Sequence, residues 1–294
     1  MTAQIRWFQD RGTFITCAES LHEAITRQDA LIAQSTSFNG ICSACRLPTI
    51  FTVNTGAMFA NRPNLREGLR CARCKLTARQ RLILLALQSE TDAMPRHPQG
   101  AILEKTSHLY RIIHARLPEV TGSEYLGATR VSGKSYWWST HWWRWRRTRH
   151  ESITALSYAD QSLSLLIHSD VLEHVYDTKL ALQECARVLR KDGVMLFSAP
   201  FFATRPASVL RGRLLANGDI EHIESPEYHG DGIAHGGIYT FHNFGWDFFD
   251  LLGDSGFSRV EIGLCHSPEE GFTSADPAGD TVSNMLPILF RAIK

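Results

Sequence analysis

The sequence predicts an α/β fold, a mostly parallel sheet covered by helices on both faces. Three observations predict it. "SLSLLIHS" (162–169) and "GVMLFSAP" (193–200) are short apolar runs of strand length. Between them, "DTKLALQECARVLRK" (177–191) sets Leu180, Leu182, Cys185, Val188 and Leu189 at helical spacing. The same alternation precedes them: "AILEK" (101–105) and "EVTGSEY" (119–125) read as strands, with the helical "SHLYRIIHARL" (107–117) between them. Strands that alternate with helices make parallel sheets, because each crossover must carry the chain back to the same end.

The remaining elements extend this pattern. "FGWDFFDLLGDSGF" (244–257) reads as a helix stopped by glycines, and "SRVEIGLC" (258–265) and "MLPILFRAI" (285–293) as the last strands. Towards the N-terminus, Ile15, Leu21, Ile25, Leu31 and Ile32 predict one or two short helices over 14–33, and Leu82 to Leu87 a buried helix. "DAMPRHPQGA" (92–101) has two prolines, a glycine and no periodicity, and reads as a linker. The expected domains are therefore 1–95 and 96–294.

Composition narrows the class. With 44% hydrophobic and 21% charged residues, the 294-residue chain can bury a core. A net charge of +1 gives no global argument for a polyanionic partner. No apolar run reaches membrane-spanning length, and "MTAQIRWFQDRGTF" lacks the apolar stretch of a signal peptide, so a cytoplasmic protein is expected.

Four of the seven cysteines fall in two C-x-x-C pairs, Cys42/Cys45 and Cys71/Cys74, with 25 residues between the pairs. Thiolates at i and i+3 can share one Zn²⁺ from a turn, and two such turns complete a tetrahedron. A structural zinc in a small zinc-ribbon-like module is the expectation. Four cysteines leave no open position for catalysis. Cys185 lies on an apolar helix face and reads as core.

Polar groups stand where the apolar strands stop. Glu104 follows the first strand and Glu124 the second. His168, Ser169 and Asp170 follow the third, with Glu173 and His174 just beyond. In open α/β sheets, ligands bind beyond the carboxyl ends of the strands, so these positions border a crevice.

"LLIHSDVLEHVYDTKLALQECARVLRKDGVMLFSAPF" resembles the motif region of class I S-adenosylmethionine-dependent methyltransferases of the type 11 kind: an apolar strand, a short segment ending Glu-His-Val, an amphipathic helix and an "FSAPF" strand. "ESITALSYADQSLSLLI" resembles the segment that precedes it in that family, and "GSEYLG" (122–127) the end of its second strand. The resemblance implies a Rossmann-like seven-stranded sheet and S-adenosylmethionine as cofactor. It implies Glu124 on the ribose hydroxyls, Glu104 at the end of the first strand, and His168 and Asp170 lining the cofactor pocket. Ser152 and Ile153 match the segment on the adenine side. The departure is in the first loop. The family is glycine-rich there, whereas "ILEKTSHLYRI" has none, and Thr106 and His108 stand at the glycine positions.

Two further segments invite a role. "HIESPEYHGDGIAHGG" (222–237) falls where the family inserts substrate-covering segments, and His229 beside Asp231 reads as a base with its orienter. "SYWWSTHWWRWRRTRH" (135–150) interleaves five tryptophans with arginines. It reads as a covering segment that buries the tryptophans, with nucleic acid or a membrane surface as less favoured partners.

The resulting expectation is a methyltransferase with an N-terminal zinc module and, by family analogy, an oxygen of a small molecule or saccharide as acceptor. The alternative is a non-catalytic zinc-containing binding protein on a degenerate methyltransferase scaffold. A nicotinamide-dependent oxidoreductase lacks its G-x-G-x-x-G loop here.

Overall fold

The computed structural model describes residues 3–53, 58–59, 62–63, 65–94, 98–139, 145–230, 237–273 and 286–294. The chain divides into two units. One comprises Met1–Arg96, Phe202–Thr204 and Glu261–Arg291; the other comprises His97–Phe201, Arg205–Val260 and Ala292–Lys294.

In chain order, the first part holds β1 (Arg6–Phe8), α1 (Arg11–Ser20), α2 (His22–Ala33), β2 (Ser37–Cys42), β3 (Leu47–Val53), β4 (Leu69–Cys71) and α3 (Ala78–Ala93). There follow β5 (Gly100–Ile102), α4 (His108–Arg116), β6 (Val120–Gly122), β7 (Ser135–Trp138) and β8 (Arg146–Arg149). Next come β9 (Leu163–Ser169), α5 (Thr178–Val188) and β10 (Leu189–Ser198). The last elements used below are β11 (Tyr228–His229), β12 (Ile238–Tyr239), α6 (Asp247–Asp254), β13 (Arg259–Leu264) and β14 (Ile288–Ile293).

Seven strands form one mixed sheet in the order β1-β13-β14-β10-β9-β5-β6. β9 pairs in parallel with β10 on one side and β5 on the other, and β5 pairs in parallel with β6. A strand between two neighbours must be apolar on both faces, and β9 is buried from Leu163 through His168. Leu165, Leu166 and Ile167 are fully buried, and each contributes about 1.5–3 kcal/mol of burial.

The crossover from β9 to β10 is the helix the sequence predicts. Asp177 caps α5, its side chain accepting from Leu180 N at 2.9 Å, and the Ala181, Leu182, Cys185 and Val188 face is buried. The Asp192-Gly193 pair, expected to turn before the strand, lies inside β10 as an irregularity. Asp192 takes φ +61°, and the pairing with β9 shifts register between Leu163 and Leu165. A side chain at Gly193 would meet Arg190 O at 2.8 Å, which explains the glycine.

The crossover from β6 to β9 differs from expectation. Among its described residues there is no helix; it contains the antiparallel ribbon β7–β8, with Trp137 opposite Arg147 and Trp138 opposite Arg146. β1 was not foreseen either. It joins the sheet edge antiparallel to β13, with Arg6 opposite Leu264.

In the first unit, β2, β3 and β4 form an antiparallel sheet in that order. α3 starts at a capping box in which Thr77 and Gln80 satisfy each other's backbone N–H groups. Its buried Leu82, Ile83, Ala86 and Leu87 are the predicted helix face.

Candidate functional site

The carboxyl ends of β5, β9 and β10 are tied together by the polar residues that follow them. Ser169 donates its hydroxyl to Glu104 Oε2. Asp170 N donates to Ser198 O at 2.9 Å, and Ser198 Oγ donates back to Asp170 Oδ1 at 2.8 Å. Asp170 adopts φ +48°, a conformation that non-glycine residues hold only where surrounding bonds impose it.

Glu124 sits one strand over and is 7% exposed. Its Oε1 accepts from Thr106 N at 2.7 Å. Its backbone is held on the other side: Glu124 N donates to Arg149 O at 2.9 Å, and Glu151 N donates to Glu124 O at 3.1 Å. The sequence thus brings Glu104, Thr106 and Glu124 together, through the turn after β5 and the bridge to the end of β8. Burial is the main cause that pushes the Glu124 carboxyl up to about 7, against the hydrogen bond from Thr106, and nearby Glu104 raises it further.

The other expected cofactor residues occupy two settings. Ser152 N donates to Ser132 Oγ at 3.0 Å, Ser152 Oγ lies 2.9 Å from Thr154 Oγ1, and Ile153 is buried beside them. His168 is wholly buried in β9 and stacks on Phe197 at 5.0 Å, and among the described residues neither ring nitrogen has a hydrogen-bond partner. Burial holds its pKa down at about 3, so the ring is neutral.

His229 lies on β11, paired with Ile238 of β12; Asp231 and His235 lie outside the described residues. The carboxylates that face His229 are Glu227, 2.9 Å from Nε2, and Glu173, 3.8 Å from Nδ1. Together, Glu173 first and then Glu227, they raise its pKa to about 9. As it stands, the ring is a proton donor at neutral pH. His174 joins the group, its Nε2 3.7 Å from Glu173 and its Nδ1 2.9 Å from Tyr239 O. A carbonyl only accepts, so Nδ1 carries a proton, and Nε2 is the nitrogen that faces Glu173. Sequence reasoning placed Glu173 and His174 near the crevice but did not join them to His229, and it missed Glu227. The "EYH" triplet beside a glycine was the available signal.

The four cysteines converge in the first unit. Cys42 Sγ lies 3.8 Å from Cys74 Sγ, Cys45 Sγ lies 4.0 Å from Cys71 Sγ, and all four sulfurs lie within 4.8 Å of one another. Such separations are too long for a disulfide. Tetrahedral zinc with Zn–S of about 2.3 Å spaces its sulfurs about 3.8 Å apart. The two C-x-x-C turns share one form. Arg46 N returns to Cys42 O at 2.7 Å and Lys75 N to Cys71 O at 2.9 Å. Arg46 and Lys75 both take left-handed φ, at +57° and +63°. Arg81 of α3 is fully buried close by. It donates to Leu69 O, Leu76 O and Gly271 O at 3.2, 2.9 and 2.8 Å, and its guanidinium lies over the Phe51 ring at 4.6 Å. Burial lowers the Arg81 pKa, and the neighbouring cysteines act against that.

The segment does not bury all its tryptophans as expected: Trp137 is 68% exposed and Trp145, just before β8, 60%, while Trp138 is half-buried. Trp142, Trp143 and Arg144 lie outside the described residues.

The methyltransferase domain family profile matches residues 126–197. A stretch of 52 residues is 38% identical to a probable S-adenosylmethionine-dependent methyltransferase of Mycolicibacterium smegmatis, covering 18% of this chain and 20% of that one. The chain thus spans about a fifth of that relative's length. Among solved structures, an S-adenosylmethionine-dependent methyltransferase from Mesorhizobium loti is 15% identical, with TM-score 0.40 over 72% of this chain and 98% of that one. One from Thermotoga maritima is 14% identical, with TM-score 0.34 over 74% and 91%. Residues 126–197 are thus similar to the methyltransferase domain family, and the relative that matches is of the S-adenosylmethionine-dependent kind. That match takes in β9, α5 and most of β10. Glu104, Thr106 and Glu124 lie before it.

Proposed function

We propose that the protein transfers a methyl group from S-adenosylmethionine to an oxygen of a small molecule or saccharide. The observation that carries this reading is the grouping of Glu104, Glu124 and Asp170 at the carboxyl ends of neighbouring parallel strands, alongside a methyltransferase-domain match. Their chemistry suits the cofactor. A buried carboxylate accepts from a ribose diol, and acids are the natural neighbours of an ammonium and a sulfonium. The glycine-free loop takes another path, its Thr106 N–H spent on Glu124 Oε1, so the cofactor would meet the loop through other groups.

The bound cofactor supplies an electrophilic methyl group. The protein's task is mainly alignment. Glu124 holds the ribose, and the Glu104–Ser169 and Asp170–Ser198 pairs fix the crevice wall. Ser152 and Ile153 border the adenine side, His168 backs the wall from the core, and His229 stands on the acceptor side. Asp231 completes the acceptor segment in this reading. The four cysteines hold a structural zinc in an N-terminal module over 1–95, the methyltransferase-like domain occupies 96–294, and the protein works in the cytoplasm. Among the described residues, no helix is long and apolar enough to cross a membrane.

The test is calorimetric titration with S-adenosylhomocysteine, with Glu124→Ala as control. Micromolar binding that the substitution weakens supports the enzyme. A folded, zinc-loaded protein that ignores millimolar ligand favours the second reading, a binding protein on a methyltransferase scaffold. The specific observation behind that reading is the loop turned onto Glu124 by Thr106.

A further inference from the structure

We infer that Glu173, His174 and His229 form a site for a divalent transition-metal ion, separate from the four-cysteine cluster. One carboxylate oxygen and two ring nitrogens from these residues lie within 4.8 Å of one another. Glu173 Oε1 is 3.7 Å from His174 Nε2 and 3.8 Å from His229 Nδ1. These distances exceed hydrogen bonds. A cation about 2.1 Å from each ligand sets such atoms about 3.4 Å apart in a tetrahedron, so the two pairs that share Glu173 Oε1 would each close only slightly.

Two independent observations point to a cation here. Glu173 is wholly buried, and among the described residues neither of its carboxylate oxygens has a hydrogen-bond partner. A buried carboxylate calls for a cation, and His229, protonated in the absence of a metal, stands 3.8 Å away, too far to bond it. The histidines are also set as metal ligands are set. Each fixes its outer nitrogen on an oxygen and turns the inner one to the shared centre: His174 on Tyr239 O at 2.9 Å, His229 on Glu227 Oε1 at 2.9 Å. Glu227 is itself held, 3.3 Å from Arg211 Nη1. The supports come from separate segments. Glu173 and His174 sit on the turn after β9, where Phe241 N donates to Glu173 O at 2.7 Å, and His229 comes from β11.

Two nitrogens and one carboxylate suit Mn²⁺, Fe²⁺, Co²⁺ or Zn²⁺ and leave coordination positions open to oxygen ligands. Water would fill them in the resting protein. An acceptor hydroxyl would take one during turnover, and this last point alone rests on the methyltransferase reading.

The test is a titration of the zinc-loaded protein with Mn²⁺, reading the free aqueous ion by electron paramagnetic resonance. A thiolate site holding zinc does not exchange it for the harder Mn²⁺. One Mn²⁺ per chain is expected in the micromolar range. Glu173→Gln and His229→Gln should each weaken it about tenfold or more, with zinc content and melting temperature kept. His174→Gln, at a less buried position, guards against misfolding of the Glu173 variant. If the folded wild type binds no Mn²⁺, and no second equivalent of Co²⁺, below about 1 mM, the inference is wrong. It is equally wrong if the three variants bind Mn²⁺ like the wild type. Titration with S-adenosylhomocysteine separates the two proposals: homocysteine-ligand binding without Mn²⁺ binding removes the metal site alone, and the reverse removes the methyltransferase reading alone.

Discussion

Thr106 donates its backbone N–H to Glu124 Oε1 at 2.7 Å, so the loop after β5 is fastened to the acid after β6. The loop and the acid therefore form one unit, and the protonation state of Glu124 governs both.

Burial raises the Glu124 carboxyl to about 7, from an ordinary 4.5. A raised acid pKa penalises the folded state once the carboxyl must ionise. The penalty is absent below the unfolded value, grows between 4.5 and about 7, and is complete above that. Glu124→Gln should therefore gain stability over wild type as pH rises from 5 to 8, by up to about 3 kcal/mol. Binding should run the other way. The ionised carboxylate accepts both ribose hydroxyls, so wild-type affinity for S-adenosylhomocysteine should rise about tenfold between pH 6 and 8. Urea melts and calorimetry at the two pH values measure both, and pH-independent affinity would remove Glu124 from the cofactor site.

Among the described residues, the two buried nitrogens of His168 lack partners, so an apolar ring should do at least as well there. Its folded pKa is depressed to about 3 from 6.5. The unfolded chain takes a proton below 6.5 that the folded chain refuses, so this group's contribution is present above 6.5 and lost as pH falls toward 3. His168→Phe should match or exceed wild type at pH 7.5 by about 1 kcal/mol and exceed it further at pH 5. Parallel acid denaturation of the two proteins would show that the ring is not a neutral core group.

Arg81 supplies three hydrogen bonds to backbone carbonyls from a wholly buried position beside the cysteines. Arg81→Met keeps most of the volume but strands the carbonyls and removes the cation next to the thiolates. A loss of about 3 kcal/mol is expected by chemical denaturation, together with weaker zinc retention against a chelator. An unchanged midpoint would mean that the carbonyls find water.

Zinc should leave with a single ligand. Cys71→Ala should retain about one fewer zinc per chain than wild type after dialysis, by elemental analysis. The same content in both proteins would show that the sulfurs pack together without an ion.

Trp137 stands in the solvent. Trp137→Ser should change stability by less than about 0.5 kcal/mol. A larger loss would show that the ribbon leans on a neighbour, as the sequence reading expected.

The parts of the fold legible in the sequence are those where one local rule decides. β9, α5 and β10 read clearly because a strand flanked on both sides must be apolar and a crossover helix must be amphipathic. The cysteine cluster read clearly because spacing alone defines each turn. Glu104, Glu124 and Asp170 were legible as acids where apolar runs end. The Glu173–His174–His229 group was not, since the turn after β9 and the β11 ribbon meet only through tertiary pairing, such as Phe241 N on Glu173 O. The β7–β8 ribbon misled because alternating tryptophan and arginine serves a buried face and an exposed one equally well. β1 escaped because three residues carry no periodicity.

The antiparallel pairing of β1 with β13 has a consequence for biogenesis. Arg6, Trp7 and Phe8 leave the ribosome about 250 residues before their partners Leu264, Gly263 and Ile262. The leading segment must wait unpaired until those partners are made, and the sheet edge closes only then. Such long-range closure slows folding. A chaperone that shields the nascent leading segment should therefore raise the yield of native protein more than one that acts on the finished chain.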